Sequence, residues 1–133
     1  MMQERKKALI VDDDEGTREF VVELMHNEGW DTVVGLTGQD ALDLAEQEDP
    51  DLIVLDVDMP EMDGFEAFRR LRTNVLTERI PIIMLTAIND LEPGGGHDGT
   101  SMEQRLGVDR PDAFVDKPVC PDDLLKAIMG VVG

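Results

Sequence analysis

Asp56 ends a run of apolar residues, Leu52-Ile53-Val54-Leu55, and Pro60 follows shortly after it. Consecutive apolar residues suit a strand covered on both faces, and proline cannot carry the backbone ladder onward. Asp56 is therefore expected at the carboxyl end of a buried strand, the edge of an open α/β sheet where ligands bind. A carboxylate there is placed to act as a nucleophile toward a phosphoryl group. Ala8-Leu9-Ile10-Val11 repeats the pattern and delivers Asp12, Asp13 and Asp14 at its own end. Pro81-Ile82-Ile83-Met84-Leu85 ends in Thr86, and Ala113-Phe114-Val115-Asp116 ends in Lys117.

Brought to one edge, these residues form a chemical set. Clustered carboxylates repel and raise one another's pKa unless a cation neutralises them. A hard divalent ion with oxygen ligands, Mg²⁺, fits Asp12, Asp13 and Asp56, because no Cys or His cluster offers softer ligation. A phosphoryl group entering beside the ion would have its charge balanced by Mg²⁺ and Lys117, with Asp56 in line to attack and Thr86 able to donate a hydroxyl hydrogen bond to the product.

Strands and helices alternate along the chain, which predicts an α/β fold with a parallel sheet and helices on both faces. Asp31-Thr32-Val33-Val34-Gly35 mixes polar and apolar positions and is placed at an edge. Phe20, Val21, Leu24 and Met25 mark a first helix that Gly29 stops, with His26 as a surface residue satisfying its last turn. Thr37 caps a second helix over 38–47 that buries Ala41, Leu42 and Ala45. Phe65, Phe68 and Leu71 mark a third, whose Arg69, Arg70 and Arg72 form a solvated outer face. Pro121 opens the last helix, with Leu124, Leu125, Ile128 and Met129 inward. Between Thr86 and the fifth strand the rhythm breaks. Residues 89–101 hold Pro93 and four glycines, which predicts a mobile loop, with helix only over 102–106.

At 133 residues the chain is expected to be a single domain, 1–133, with a Gly-rich insertion at about 89–101. A net charge of −18 excludes a nonspecific grip on nucleic acid or an anionic membrane. Cys120 is the only cysteine, so no internal disulfide forms, and a reducing, cytoplasmic setting is the expectation.

The chain resembles the receiver domains of two-component response regulators over nearly its whole length. The resemblance is carried by Ile10-Val11-Asp12-Asp13-Asp14, by Leu55-Asp56-Val57-Asp58-Met59-Pro60-Glu61-Met62-Asp63-Gly64, by Leu85-Thr86-Ala87 and by Lys117-Pro118. It implies a flavodoxin-like (βα)5 fold with a parallel five-stranded sheet in order 2-1-3-4-5. It implies that Asp56 is the phosphoacceptor, charged by a sensor histidine kinase or a histidine phosphotransfer protein. Asp13 and Asp56 would ligate Mg²⁺ directly, Asp58 through its backbone carbonyl and Asp12 through water, with Mn²⁺ able to substitute. Lys117 would contact the phosphoryl group and precede a cis proline. Thr86 and Phe114 would form the switch, Thr86 moving toward the phosphate and Phe114 turning into the vacated space. Such a chain is a signalling protein that catalyses only its own phosphorylation and dephosphorylation. It would act as a single-domain regulator or as part of a larger protein, on a downstream protein target or output domain, with no direct nucleic-acid or membrane contact.

Two features depart from the family pattern. The Gly-rich segment lengthens the interval from Thr86 to Lys117 by about eight to ten residues and stands in place of much of the family's fourth helix. Phe114 replaces the common tyrosine and lacks its hydroxyl. Two rival readings share part of this residue set: a receiver-like interaction module that is never phosphorylated, and a haloacid-dehalogenase-type phosphatase, which also uses an Asp-x-Asp pair.

Overall fold

The computed structural model describes residues 6–59, 61–87 and 111–132. Its strands are β1 (Lys7–Val11), β2 (Asp31–Gly35), β3 (Leu52–Asp56), β4 (Ile82–Thr86) and β5 (Ala113–Asp116). They form one parallel sheet in the order β2-β1-β3-β4-β5, as expected. Four helices are described: α1 (Glu15–Asn27), α2 (Gly38–Glu48), α3 (Gly64–Arg72) and α4 (Pro121–Val132). Pro60, the Gly-rich stretch 89–101 and the helix expected over 102–106 lie outside the described residues.

Alternation along the strands builds a core on each face. Leu9, Val11, Ile53, Leu55, Ile82 and Met84 meet Ala41 and Ala45 of α2 and Phe65, Phe68 and Leu71 of α3. Ala8, Ile10, Leu52, Val54, Ile83 and Leu85 meet Val21 and Met25 of α1 and Leu124 and Ile128 of α4. Each large side chain so buried contributes about 1.5–3 kcal/mol, and the central strands β3 and β4 are buried at every position. β2 is a partly exposed edge, as its mixed sequence predicted.

Side-chain caps start α1, α2 and α3. Asp14 Oδ2 accepts the Thr17 amide at 2.8 Å, Thr37 Oγ1 that of Asp40 at 3.0 Å, and Asp63 Oδ1 that of Glu66 at 2.9 Å. Each cap is worth about 1 kcal/mol and keeps the loop above the sheet short. Gly29, at φ +90°, turns the chain out of α1 where a Cβ would be strained.

The structure corrects three helix faces. Met129 is 73% exposed, because Leu124 and Ile128, one turn apart, take the buried stripe of α4. Phe20 is 39% exposed for the same reason, Val21 and Met25 occupying the inward line of α1. Arg72 is not on the solvated face with Arg69 and Arg70. It follows Phe68 by one turn, lies 5.0 Å over that ring, and donates to the Ile80 carbonyl at 2.7 Å and to Asp112 Oδ2 at 2.8 Å. Asp112 Oδ2 also accepts the Ile82 amide at 2.8 Å, so one carboxylate ties α3 to the starts of β4 and β5. Arg69 and Arg70 both pair with Glu66, at helical spacings worth a few tenths of a kcal/mol each. Among the described residues no helix is long and apolar enough to cross a membrane.

Candidate functional site

β1 and β3 are neighbours in register, Val11 beside Leu55, so Asp12 and Asp56 emerge side by side one residue later. The Asp12 amide continues the ladder to Gly35 at 3.2 Å, and the Val57 amide continues it to Leu85 at 3.0 Å. The loop after β3 is pulled back by the Gly64 amide, which donates to the Val57 carbonyl at 2.8 Å. There the chain passes so close to β3 that a Cβ on residue 64 would lie 2.2 Å from the Asp56 carbonyl oxygen and 2.7 Å from Val57 Cα. Only glycine fits. On the far side the Lys117 amide donates to the Thr86 carbonyl at 2.7 Å, and the Lys117–Pro118 peptide is cis, as the resemblance implied.

These constraints put three carboxylates and one ammonium together. Asp12 is fully buried, Asp56 is 1% exposed and Asp13 is exposed, with one oxygen from each within 4.8 Å of the others. Lys117 Nζ lies 2.8 Å from Asp56 Oδ1 and 3.2 Å from Asp12 Oδ2. Asp56 Oδ1 also accepts the Asp58 amide at 3.3 Å, and Asp12 Oδ1 accepts the Asp14 amide at 2.8 Å. Asp13, Asp14, Asp56, Asp58, Met59, Ala87 and Lys117 line an open cleft of about 460 Å³.

Burial pushes the Asp56 carboxyl up to about 7. The Asp12 charge adds to the rise, while the hydrogen bond and charge of Lys117 and the Asp58 amide restrain it. Lys117 responds oppositely: burial would lower its pKa, but its contacts with Asp56 and Asp12 outweigh that and leave it raised. One ammonium serves two buried carboxylates, so it keeps its proton while the carboxylates remain under-neutralised. The Thr17 hydrogen bonds hold the exposed Asp14 below its ordinary value.

The donor set fits a hard cation. All the convergent atoms are oxygens, a single lysine leaves the cluster with excess negative charge, and Asp12 Oδ2 is buried without accepting a hydrogen bond of good geometry. Asp12, Asp13 and Asp56 are thus assembled as the sequence predicted. Asp58 is exposed and lines the same cleft. Thr86 is fully buried at the end of β4, but its hydroxyl donates to Asp116 Oδ1 across β5 at 3.4 Å, not into the cleft. Phe114 is 38% exposed on β5. The positional need for Gly64 was not read from the sequence, although its place in the turn after Met62-Asp63 was a usable signal. Nor was the contact of Arg18 Nη1 with the Asp12 carbonyl at 2.9 Å, for which the sequence offers no pairing cue.

The sequence model of the response regulator receiver domain matches residues 8–129. The chain belongs to that family. It is 41% identical over 92 residues to sporulation initiation phosphotransferase F of Bacillus subtilis (strain 168), covering 69% of this chain and 71% of that protein. It is 35% identical over 128 residues to the alkaline phosphatase synthesis transcriptional regulatory protein PhoP of the same organism, covering 93% of this chain. The alignment spans about half of PhoP, 48% of its length. A crystal structure of a response regulator from Chloroflexus aurantiacus superposes with a TM-score of 0.81 at 26% identity, covering 97% of this chain and 98% of that one. The chain is therefore a receiver domain of two-component and phosphorelay signalling.

Proposed function

We propose that Asp56 is the phosphoacceptor, taking a phosphoryl group from a phosphohistidine of a sensor histidine kinase or phosphotransfer protein. The observation that carries this reading is the buried Asp56 carboxylate held by Lys117 at 2.8 Å beside Asp12 and Asp13, at the floor of an open cleft. A carboxylate oxygen of Asp56 forms the new O–P bond as the P–N bond of the donor breaks. The imidazole nitrogen keeps that electron pair, and Lys117 offsets charge on the phosphoryl oxygens. Asp13 and Asp56, with the Asp58 backbone carbonyl and with help from Asp12, would hold Mg²⁺ or its substitute Mn²⁺. The ion would supply charge neutralisation for the cluster and for the phosphoryl group.

The product is a conformational state. The Thr86 hydroxyl leaves Asp116 and donates to the acyl phosphate, and Phe114 turns from its half-exposed position into the space Thr86 vacates. Phe114 fills that space through packing alone, having no hydroxyl. The domain, 1–133 as a single unit, works in the cytoplasm, acts on a protein target or output domain, and turns over no external substrate beyond its own acyl phosphate. In Mg²⁺ with a labelled small phosphodonor, the wild type should take up about one equivalent and Asp56→Asn none. An unlabelled wild type, or equal labelling of the two, refutes the assignment.

A further inference from the structure

Arg18, in the second turn of α1, is six residues past Asp12, yet its guanidinium turns back to the loop between β1 and α1. Nη1 donates to the Asp12 carbonyl oxygen at 2.9 Å. That carbonyl belongs to the peptide plane joining Asp12 to Asp13, so the group that holds it sets the direction in which Asp13 leaves β1. The rest of the loop is fixed around it. The Asp12 amide is held by the Gly35 carbonyl at 3.2 Å, and Asp12 Oδ1 by the Asp14 amide at 2.8 Å. The Arg18 amide itself donates to the Asp14 carbonyl at 3.0 Å as α1 begins. Asp12 is buried and locked by its own contacts, but Asp13 is exposed, and its placement depends on this peptide.

We propose that Arg18 is a positioning residue for the metal cluster: by holding the Asp12–Asp13 peptide plane it orients the Asp13 carboxylate for Mg²⁺. This rests on the reading of Asp12, Asp13 and Asp56 as the Mg²⁺ site. The arginine does not line the cleft and acts through the backbone. Its position also gives the proposal a sign that electrostatics alone would reverse. Arg18 is a cation near an acidic cluster that binds a cation, and by Coulomb's law removing it would tighten Mg²⁺ binding. If its role is to orient a ligand, removing it loosens binding. Arg18 also lines an open groove of about 340 Å³ with Glu19, Val22, Glu23, His26 and Val34, so an apolar replacement of similar length has room to pack.

The test compares wild type, Arg18→Met and Arg18→Lys by calorimetric titration with Mg²⁺, and by amide NMR spectra of the metal-free proteins. Arg18→Met should bind Mg²⁺ about tenfold more weakly, the scale on which groups orienting metal ligands act. Its metal-free spectrum should show the Asp13 and Asp14 amides displaced or broadened, with those of β3 and β4 unmoved. Arg18→Lys keeps a charged donor and should stay within about threefold of wild type. Unchanged or tighter binding by Arg18→Met overturns the proposal. If wild type binds no Mg²⁺, the metal-site reading falls by itself. The metal-free spectra then decide the role of Arg18: undisturbed Asp13 and Asp14 amides in Arg18→Met overturn it.

Discussion

Replacing Asp56 by asparagine should stabilise the metal-free protein, and the gain should grow as pH rises from about 4 to 7. In the folded state the Asp56 carboxyl is raised from 3.8 to about 7. Between those values the folded protein keeps a proton that the unfolded chain has already released, so wild-type stability falls as pH rises. The fall is complete above about 7, where both states have lost the proton. The interval from 3.8 to about 7, at about 1.4 kcal/mol per pH unit, corresponds to roughly 4 kcal/mol. An unfolded chain of net charge −18 raises its own carboxyl values somewhat, so the measured difference should be about 2–4 kcal/mol. Lys117, raised above 10.5, contributes a constant amount across this window, and Asp14, lowered, contributes its change at and below 3.8. Asparagine removes the titration and leaves Lys117 paired with Asp12 alone. Urea unfolding in EDTA at pH 4.5, 6 and 8 measures the effect. Wild type should lose stability along the series while Asp56→Asn stays nearly level and is the more stable of the two at pH 8. Parallel pH profiles, or a variant less stable than wild type at pH 8, would refute the account of a carboxylate held at the expense of stability. Adding Mg²⁺ at pH 8 should restore stability to wild type and much less to the variant.

Gly64→Ala would place a methyl group 2.2 Å from the Asp56 carbonyl oxygen, against backbone that cannot yield cheaply. We expect a loss of about 2–4 kcal/mol in urea unfolding together with weaker Mg²⁺ binding, and a loss below about 0.5 kcal/mol would refute the close approach. Asp49 ends α2 in the left-handed region at φ 47°, behind Glu46 and Glu48 and with no basic residue in the last turn. Asp49→Gly relieves that backbone conformation and removes a negative charge from the negative end of the helix. A gain of about 0.5–1.5 kcal/mol in the same assay is expected, and a loss would show that Asp49 makes a compensating contact.

The strands and the meeting of Asp12, Asp13, Asp56 and Lys117 were legible because each rests on a local pattern, whereas the strand order came only with the family resemblance. An apolar run ending in a charged residue places that residue at a strand end, and parallel strands share one carboxyl edge. The Thr37 cap was legible for the same reason, since it acts on an amide three residues away. What the sequence left open involved contacts between distant residues or choices between adjacent side chains. Arg72 belongs to an internal clamp because β4 and Asp112 are folded against the end of α3, a partnership spanning 40 residues. Met129 and Phe20 face solvent because a helix buries one line of residues, and only the packing of α1 and α4 on the sheet selects which line.

By itself the sequence determined which side chains reach the carboxyl edge of the sheet and therefore what chemistry is available there. Only the tertiary structure decided how they divide the work. It buries Asp12 and leaves Asp13 exposed, turns the Thr86 hydroxyl toward Asp116, brings Lys117 between two carboxylates, and sets Gly64 against the backbone of β3. The physical reason is range. Periodicity and termination are fixed by neighbours a few residues away, but burial, pKa and hydrogen-bond partner are fixed by whatever the fold packs within a few ångströms.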